Sequence, residues 1–156
     1  MSEKELQGRV AVITGAGRSI GRAMALELAA AGCAVVVNVR QNRAEAEAVV
    51  KEIEKIGGRG LVAVADVVDA PAVSAMAQAV LEKFGRIDYL VNNAALRQEK
   101  SIEQMTFEDW RHITGVILDG AIPWPRPGHE RGGIPLRRDR LYCTGCVREG
   151  QEENKT

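Results

Sequence analysis

Six residues in one short turn carry the clearest chemical signal: Gly15, Gly17, Arg18, Ser19, Ile20 and Gly21. Gly15 and Gly17 can take backbone angles closed to other residues and let the main chain approach a ligand closely. A short β-branched run ending at Thr14 enters the turn, and an alanine-rich, helix-forming pattern leaves it. That order is strand, tight turn, helix. The free N–H groups and positive dipole end of the helix then point at the turn, an arrangement that suits a pyrophosphate. Gly21 lets the helix pack closely on the first strand, and a ribose-reading residue is expected about 20 residues further on. A second apolar run, Ala34 to Val39, ends in that region.

These residues need a scaffold, and the hydrophobic pattern supplies one. Strands are expected at Arg9–Thr14, Ala34–Val39, Leu61–Ala65 and Ile87–Val91, each a nearly continuous apolar run as in a sheet covered on both faces. Helices are expected from Ser19 to Ala31, Asn42 to Ile56, Pro71 to Phe84 and Thr106 to at least Leu118. Asn42 reads as an N-cap, with Ala44, Ala48, Val49 and Ile53 turned inward, and Thr106-x-x-Asp109 reads as a capping box. Alternating strands and helices give an α/β, doubly wound parallel sheet, and right-handed crossovers set the strand order 3-2-1-4. Strand four is then an open edge.

Bulk properties narrow the partners. The chain has 156 residues, with 21 Lys plus Arg against 21 Asp plus Glu, so no excess charge argues for nucleic acid or an acidic membrane surface. No run of roughly 18 apolar residues or signal-peptide pattern is present, which predicts a cytoplasmic protein. Cys33 reads as a small buried apolar residue, and Cys143-x-x-Cys146 lacks the second ligand pair of a structural zinc site, so no metal is expected.

Thr14-Gly15-x-x-x-Ser19-x-Gly21 resembles the Thr-Gly-x-x-x-Gly-x-Gly fingerprint of the classical short-chain dehydrogenase/reductases, with Ser19 at the middle glycine. The resemblance covers roughly residues 8–121. Its nearest members are those like 3-oxoacyl-carrier-protein reductase, which use NADPH to reduce a carbonyl to an alcohol. It implies a Rossmann-type sheet, a small carbonyl or alcohol substrate and, for the family, homo-oligomers. Asp66-Val67 falls where the family places an adenine-contacting aspartate. Asn92-Asn93-Ala94-Ala95 resembles the Asn-Asn-Ala-Gly motif beside the cofactor, so Asn93, Ala94 and Ala95 join the expected site. No acid ends strand two, where one would grip a ribose 2′-OH. Arg40 follows it, and basic residues at positions 18 and 40 accompany NADP in the family. Two guanidiniums make a sensible phosphate clamp, so NADP is favoured over NAD.

The catalytic part of the resemblance fails. Ile117 occupies the helix-four Asn position, and no Ser plus Tyr-x-x-x-Lys follows it; Tyr142 is followed four residues later by Cys146. No catalytic residue is therefore expected. Character also changes at Ala121: four of the five prolines fall between Pro123 and Pro135, and helical and strand periods vanish. The expected organisation is a partial, truncated nucleotide-binding domain over 1–120 and an irregular tail over 121–156. The genetic code offers an origin for that tail. Trp124 is TGG, so Ala121 to Pro125 reads GCN-ATH-CCN-TGG-CCN. Removing the last base of the Ala codon permits GCA-TTC-CTT-GGC, Ala-Phe-Leu-Gly, which continues a family-like helix. The same frame across Asp139 to Val147 permits Ile-Val-Phe-Ile-Ala-x-Gly-Val-Ser, a strand ending in a serine. An out-of-frame tail is the expectation, with a natural C-terminal extension as the alternative.

Overall fold

The computed structural model describes residues 5–96, 100–118, 120 and 141–143. The elements, in chain order, are β1 (Val10–Ile13), α1 (Ser19–Ala30), β2 (Ala34–Val39), α2 (Arg43–Lys55), β3 (Arg59–Val64), α3 (Ala70–Phe84), β4 (Tyr89–Asn92), α4 (Phe107–Ile117) and β5 (Leu141–Cys143). The sheet runs β3-β2-β1-β4-β5, and every pairing is parallel. The order 3-2-1-4 is the one that right-handed crossovers dictate.

Alternation along β1 and β2 assigns the two faces. Val10, Val12, Ala34 and Val36 join Val73, Ala77 and Val80 of α3 on one side. Ala11, Ile13, Val35 and Val37 join Ala25 and Ala29 of α1 and Val49 and Ile53 of α2 on the other. Both faces of these central strands are buried, which is why they are rich in β-branched residues. Cys33 is buried and free, and its burial pushes the thiol up to about 11, so it behaves as an inert apolar side chain.

Three details differ from expectation. In α2 the buried face is Ala46, Val49 and Ile53, whereas Ala44 and Ala48 are exposed. The branched residues fix the helix rotation, and a methyl group is too small to compete with them. β3 begins two residues early, at Arg59, because it pairs along the whole length of β2. β4 is not an edge: Leu90, Val91 and Asn92 pair with Leu141, Tyr142 and Cys143. A parallel neighbour satisfies backbone groups that an open edge leaves unpaired. The remainder of the expected irregular tail, Cys146 included, lies outside the described residues.

At the opposite end of the strands from the glycine turn, Asp88 ties β4 to β1. Its Oδ2 accepts from the Val10 N–H at 2.9 Å, while its own N–H donates to the Val10 carbonyl at 2.9 Å. Arg9 Nη1 donates to Oδ1 at 3.0 Å and Arg86 Nε to Oδ2 at 2.7 Å. The Asp88 side chain is only 4% exposed, and its burial works to raise the pKa. The Arg86 hydrogen bonds, the Val10 N–H and Arg9 outweigh burial and hold the carboxyl below its ordinary value. A depressed carboxyl contributes stability that is fully present above the unfolded pKa of about 4 and lost as pH falls through the folded value. Asp88→Asn should cost about 1–3 kcal/mol near neutrality and flatten the loss of stability below about pH 4. Urea unfolding across that pH range measures both effects, and an unaltered acid limb would mean that Asp88 does not govern it.

Candidate cofactor site

The carboxyl ends of β1 to β4 open onto a cleft of about 620 Å³. It lies where the chain switches from building the sheet in one direction from β1, through β2 and β3, to the other, through β4. In doubly wound sheets this is where ligands bind. The glycine turn contributes Gly15, Gly17, Arg18, Ser19, Ile20 and Gly21; Arg40 follows β2, and Asp66 and Val67 follow β3. Asn93, Ala94 and Ala95 follow β4, so all the residues expected from sequence to contact a cofactor line this one cleft.

Gly15 and Gly21 are required by the close approach of the two turns. Gly15 has φ +63°, and a Cβ there would stand 2.9 Å from the Ala94 Cα. A Cβ on Gly21 would lie 2.5 Å from both Asn93 Nδ2 and the Gly15 carbonyl oxygen. The turn after β1 is thus pressed against the turn after β4. A clasp of hydrogen bonds holds the two together. Thr14 Oγ1 accepts from the N–H groups of Asn93 at 3.0 Å and Ala94 at 2.9 Å. Asn93 Nδ2 donates to the carbonyls of Thr14 at 2.9 Å and Gly15 at 3.1 Å.

Ser19 has φ +49°, a left-handed backbone at the position where the fingerprint has glycine. Beside it, the N-terminus of α1 is chemically distinctive. Asn42, Asp69 and Thr106 cap α2, α3 and α4 by accepting from backbone N–H groups. The N-cap of α1 is Arg18, which makes no side-chain cap bond, and the first turn holds no acid. Its leading N–H groups are therefore left for an anion. Arg18 and Arg40 form no ion pair among the described residues. A bare helix N-terminus, a close-approach glycine turn and two unpaired cations on one cleft fit a phosphorylated cofactor.

Several lining residues were not legible as site residues. Asn38, the polar interruption of strand two, is buried, and its Nδ2 donates to the Ala65 carbonyl at 3.0 Å. It ties the end of β2 to the end of β3 and so positions Arg40 relative to Asp66. Asp66 Oδ1 accepts from the Val68 N–H at 3.2 Å, while Asp69 is the residue that caps α3. Val116 of α4 and Glu45 of α2 also line the cleft. The 3.6-residue period of α4 signals Val116 only once the helix has been docked. Glu45 has the spacing of a first-turn acid, which reads as a solvated charge.

The sequence pattern of the short chain dehydrogenase family matches residues 9–124. The chain belongs to that family. It is 44% identical over 117 residues to a 3-oxoacyl-[acyl-carrier-protein] reductase of Synechocystis, covering 75% of this chain and 47% of that protein. It is 42% identical over 110 residues to a hydroxynaphthalene reductase-like protein of Metarhizium robertsii, covering 70% of this chain and 41% of that protein. A crystal structure of a short chain dehydrogenase from Burkholderia cenocepacia in complex with NADP matches with a TM-score of 0.72 and 37% identity, over 76% of this chain and 49% of that one. The chain spans about half the length of the curated relatives it matches. Among the described residues no cluster of ligating side chains could hold a metal ion, and no helix is long and apolar enough to cross a membrane.

Gly21→Ala isolates the clasp, because a helical alanine is otherwise favourable by about 1 kcal/mol. Its Cβ must displace Asn93 Nδ2 or the Gly15 carbonyl. The expected net loss is about 1–3 kcal/mol in chemical unfolding. A gain in stability would show that the two turns separate at no cost.

Proposed function

We propose that this chain binds NADP(H) in the cleft, with the pyrophosphate on the N-terminus of α1 and the adenosine 2′-phosphate between Arg18 and Arg40. The observation that carries the reading is the bare α1 N-terminus facing the same cleft as two guanidiniums that have no ion-pair partner among the described residues. Asp66 and the buried Val67 lie on the cleft after β3, where the adenine would rest. Asn93, Ala94 and Ala95 line the cleft beside Gly15 and Gly21, where the nicotinamide half would lie. The Burkholderia relative's complex with NADP and the kinship with reductases support an oxidoreductase lineage in which the bound cofactor supplies a hydride to a small carbonyl compound.

In its 156-residue form the chain is read as a nucleotide-binding unit without turnover. Ile117 stands at the family's helix-four Asn position and offers no group to orient a water. Neither the Ser nor the Tyr-x-x-x-Lys of the family follows in the sequence. General acid catalysis has no proton donor there. The one-base reading of the segment beginning at Ala121 accounts for this by an out-of-frame tail. Resequencing the gene from codon 115 onward tests it: a shifted frame encoding Ser and Tyr-x-x-x-Lys supports a full-length reductase, and its absence overturns the out-of-frame reading.

Calorimetric titration of the 156-residue chain with NADPH and NADH tests the cofactor. Arg40→Ala should weaken NADPH about tenfold, the equivalent of roughly 1.4 kcal/mol, and leave NADH nearly unaffected. Equal losses for both ligands would remove Arg40 from the phosphate site. Oxidation of NADPH by this chain with any carbonyl substrate would contradict the absence of turnover.

A further inference from the structure

Opposite the glycine turn, the cleft carries one acid that neither the fingerprint nor the end of β2 announces. Glu45 is the third residue of α2, half-buried, and its carboxylate lies between the turn and the end of β2. A Cβ on Gly17 would stand 2.8 Å from Val39 Cγ1 and 3.1 Å from Glu45 Oε2. Gly17 is therefore glycine partly because this side chain occupies the space beside it.

The placement of Glu45 follows from the packing of α2. Ala46, Val49 and Ile53 turn into the core, which sends position 45 toward the cleft. An acid at the third position of a helix commonly folds back to the N-cap N–H. Here the cap is one-sided: Asn42 Oδ1 accepts from the Glu45 N–H at 3.4 Å, and the Glu45 carboxylate makes no hydrogen bond or ion pair among the described residues. A free carboxylate thus shares the ribose end of the cleft with Arg18 and Arg40.

We infer that Glu45 sets the choice between phosphorylated and unphosphorylated cofactor: it opposes the 2′-phosphate that Arg18 and Arg40 attract and accepts a hydrogen bond from a free ribose 2′-OH. The inference rests on the cofactor reading above. It makes the site one with two opposed electrostatic elements, so the chain takes both NADP(H) and NAD(H), with a narrower preference than its arginines alone would give.

The test compares two nucleotides that differ by the 2′-phosphate, 2′,5′-ADP and 5′-AMP, on the full chain and on Glu45→Gln and Glu45→Ala. Circular dichroism verifies that each variant is folded. Removing one charge near the phosphate should tighten 2′,5′-ADP about five- to tenfold. It should leave 5′-AMP unchanged or weaker, and the difference should shrink as salt is raised past about 0.15 M. The same sign in both variants supports the inference. Equal changes for the two nucleotides, no change, or weaker 2′,5′-ADP (Glu45 then orienting the arginines) overturns it while leaving the cofactor site intact. An unmodified chain that binds neither nucleotide overturns the cofactor reading and this inference together.

Discussion

The clasp between Thr14 and Asn93 is the constraint on which the site depends. One hydroxyl accepts two backbone N–H groups from the segment after β4, and one amide donates to two carbonyls of the turn after β1. These bonds join the segments that leave the carboxyl ends of β1 and β4, and they hold the glycine turn against the turn after β4. Buried polar networks of this kind are costly when half satisfied, so each partner depends on the others. Without them Gly15 and Gly21 would gain room for side chains, but the helix N-terminus would no longer be aimed into the cleft.

Much of this was legible in the sequence because the relevant signals are local. β-branched runs mark strands buried on both faces, and glycine spacing marks the phosphate turn. Thr106 and Asp109 announce the start of α4, where each accepts from the backbone N–H of the other. What escaped the sequence depends on rotation and pairing. Ala44 and Ala46 are chemically identical, and only the packing of Val49 and Ile53 decides that the second is buried. Asn38 reads as a flaw in a strand until its amide is seen to bind the carbonyl of Ala65. The three-residue β5 carries no periodic signal of its own; pairing with β4 makes it a strand. Glu45 is a surface acid by every sequence criterion, and the twist of α2 places it on the cleft.

The two ends of the sheet handle charge in opposite ways. At the Asp88 end, one buried carboxylate is held by two arginines and a backbone N–H, a locally complete arrangement. At the cleft end, Arg18 and Arg40 have no acidic partner among the described residues, and Glu45 has no basic one. Both are half measures electrostatically, since the charges are close enough to line one cleft yet do not pair. Charges kept apart in this way are available to a ligand, whereas paired ones must first be separated.

Ser19 marks the boundary between what the fold requires and what the chain tolerates. Its backbone at φ +49° is the conformation the turn imposes, and glycine would adopt it without steric cost. A left-handed non-glycine residue costs on the order of 1 kcal/mol, a load that the surrounding clasp must overcome. The residue that carries that cost lines the cleft, at the helix N-terminus whose N–H groups no side chain caps. A hydroxyl can donate to a phosphate oxygen, which a glycine cannot. The substitution therefore exchanges backbone ease for an added donor at the anion end of the cleft, and leaves the architecture that aims α1 into it unchanged.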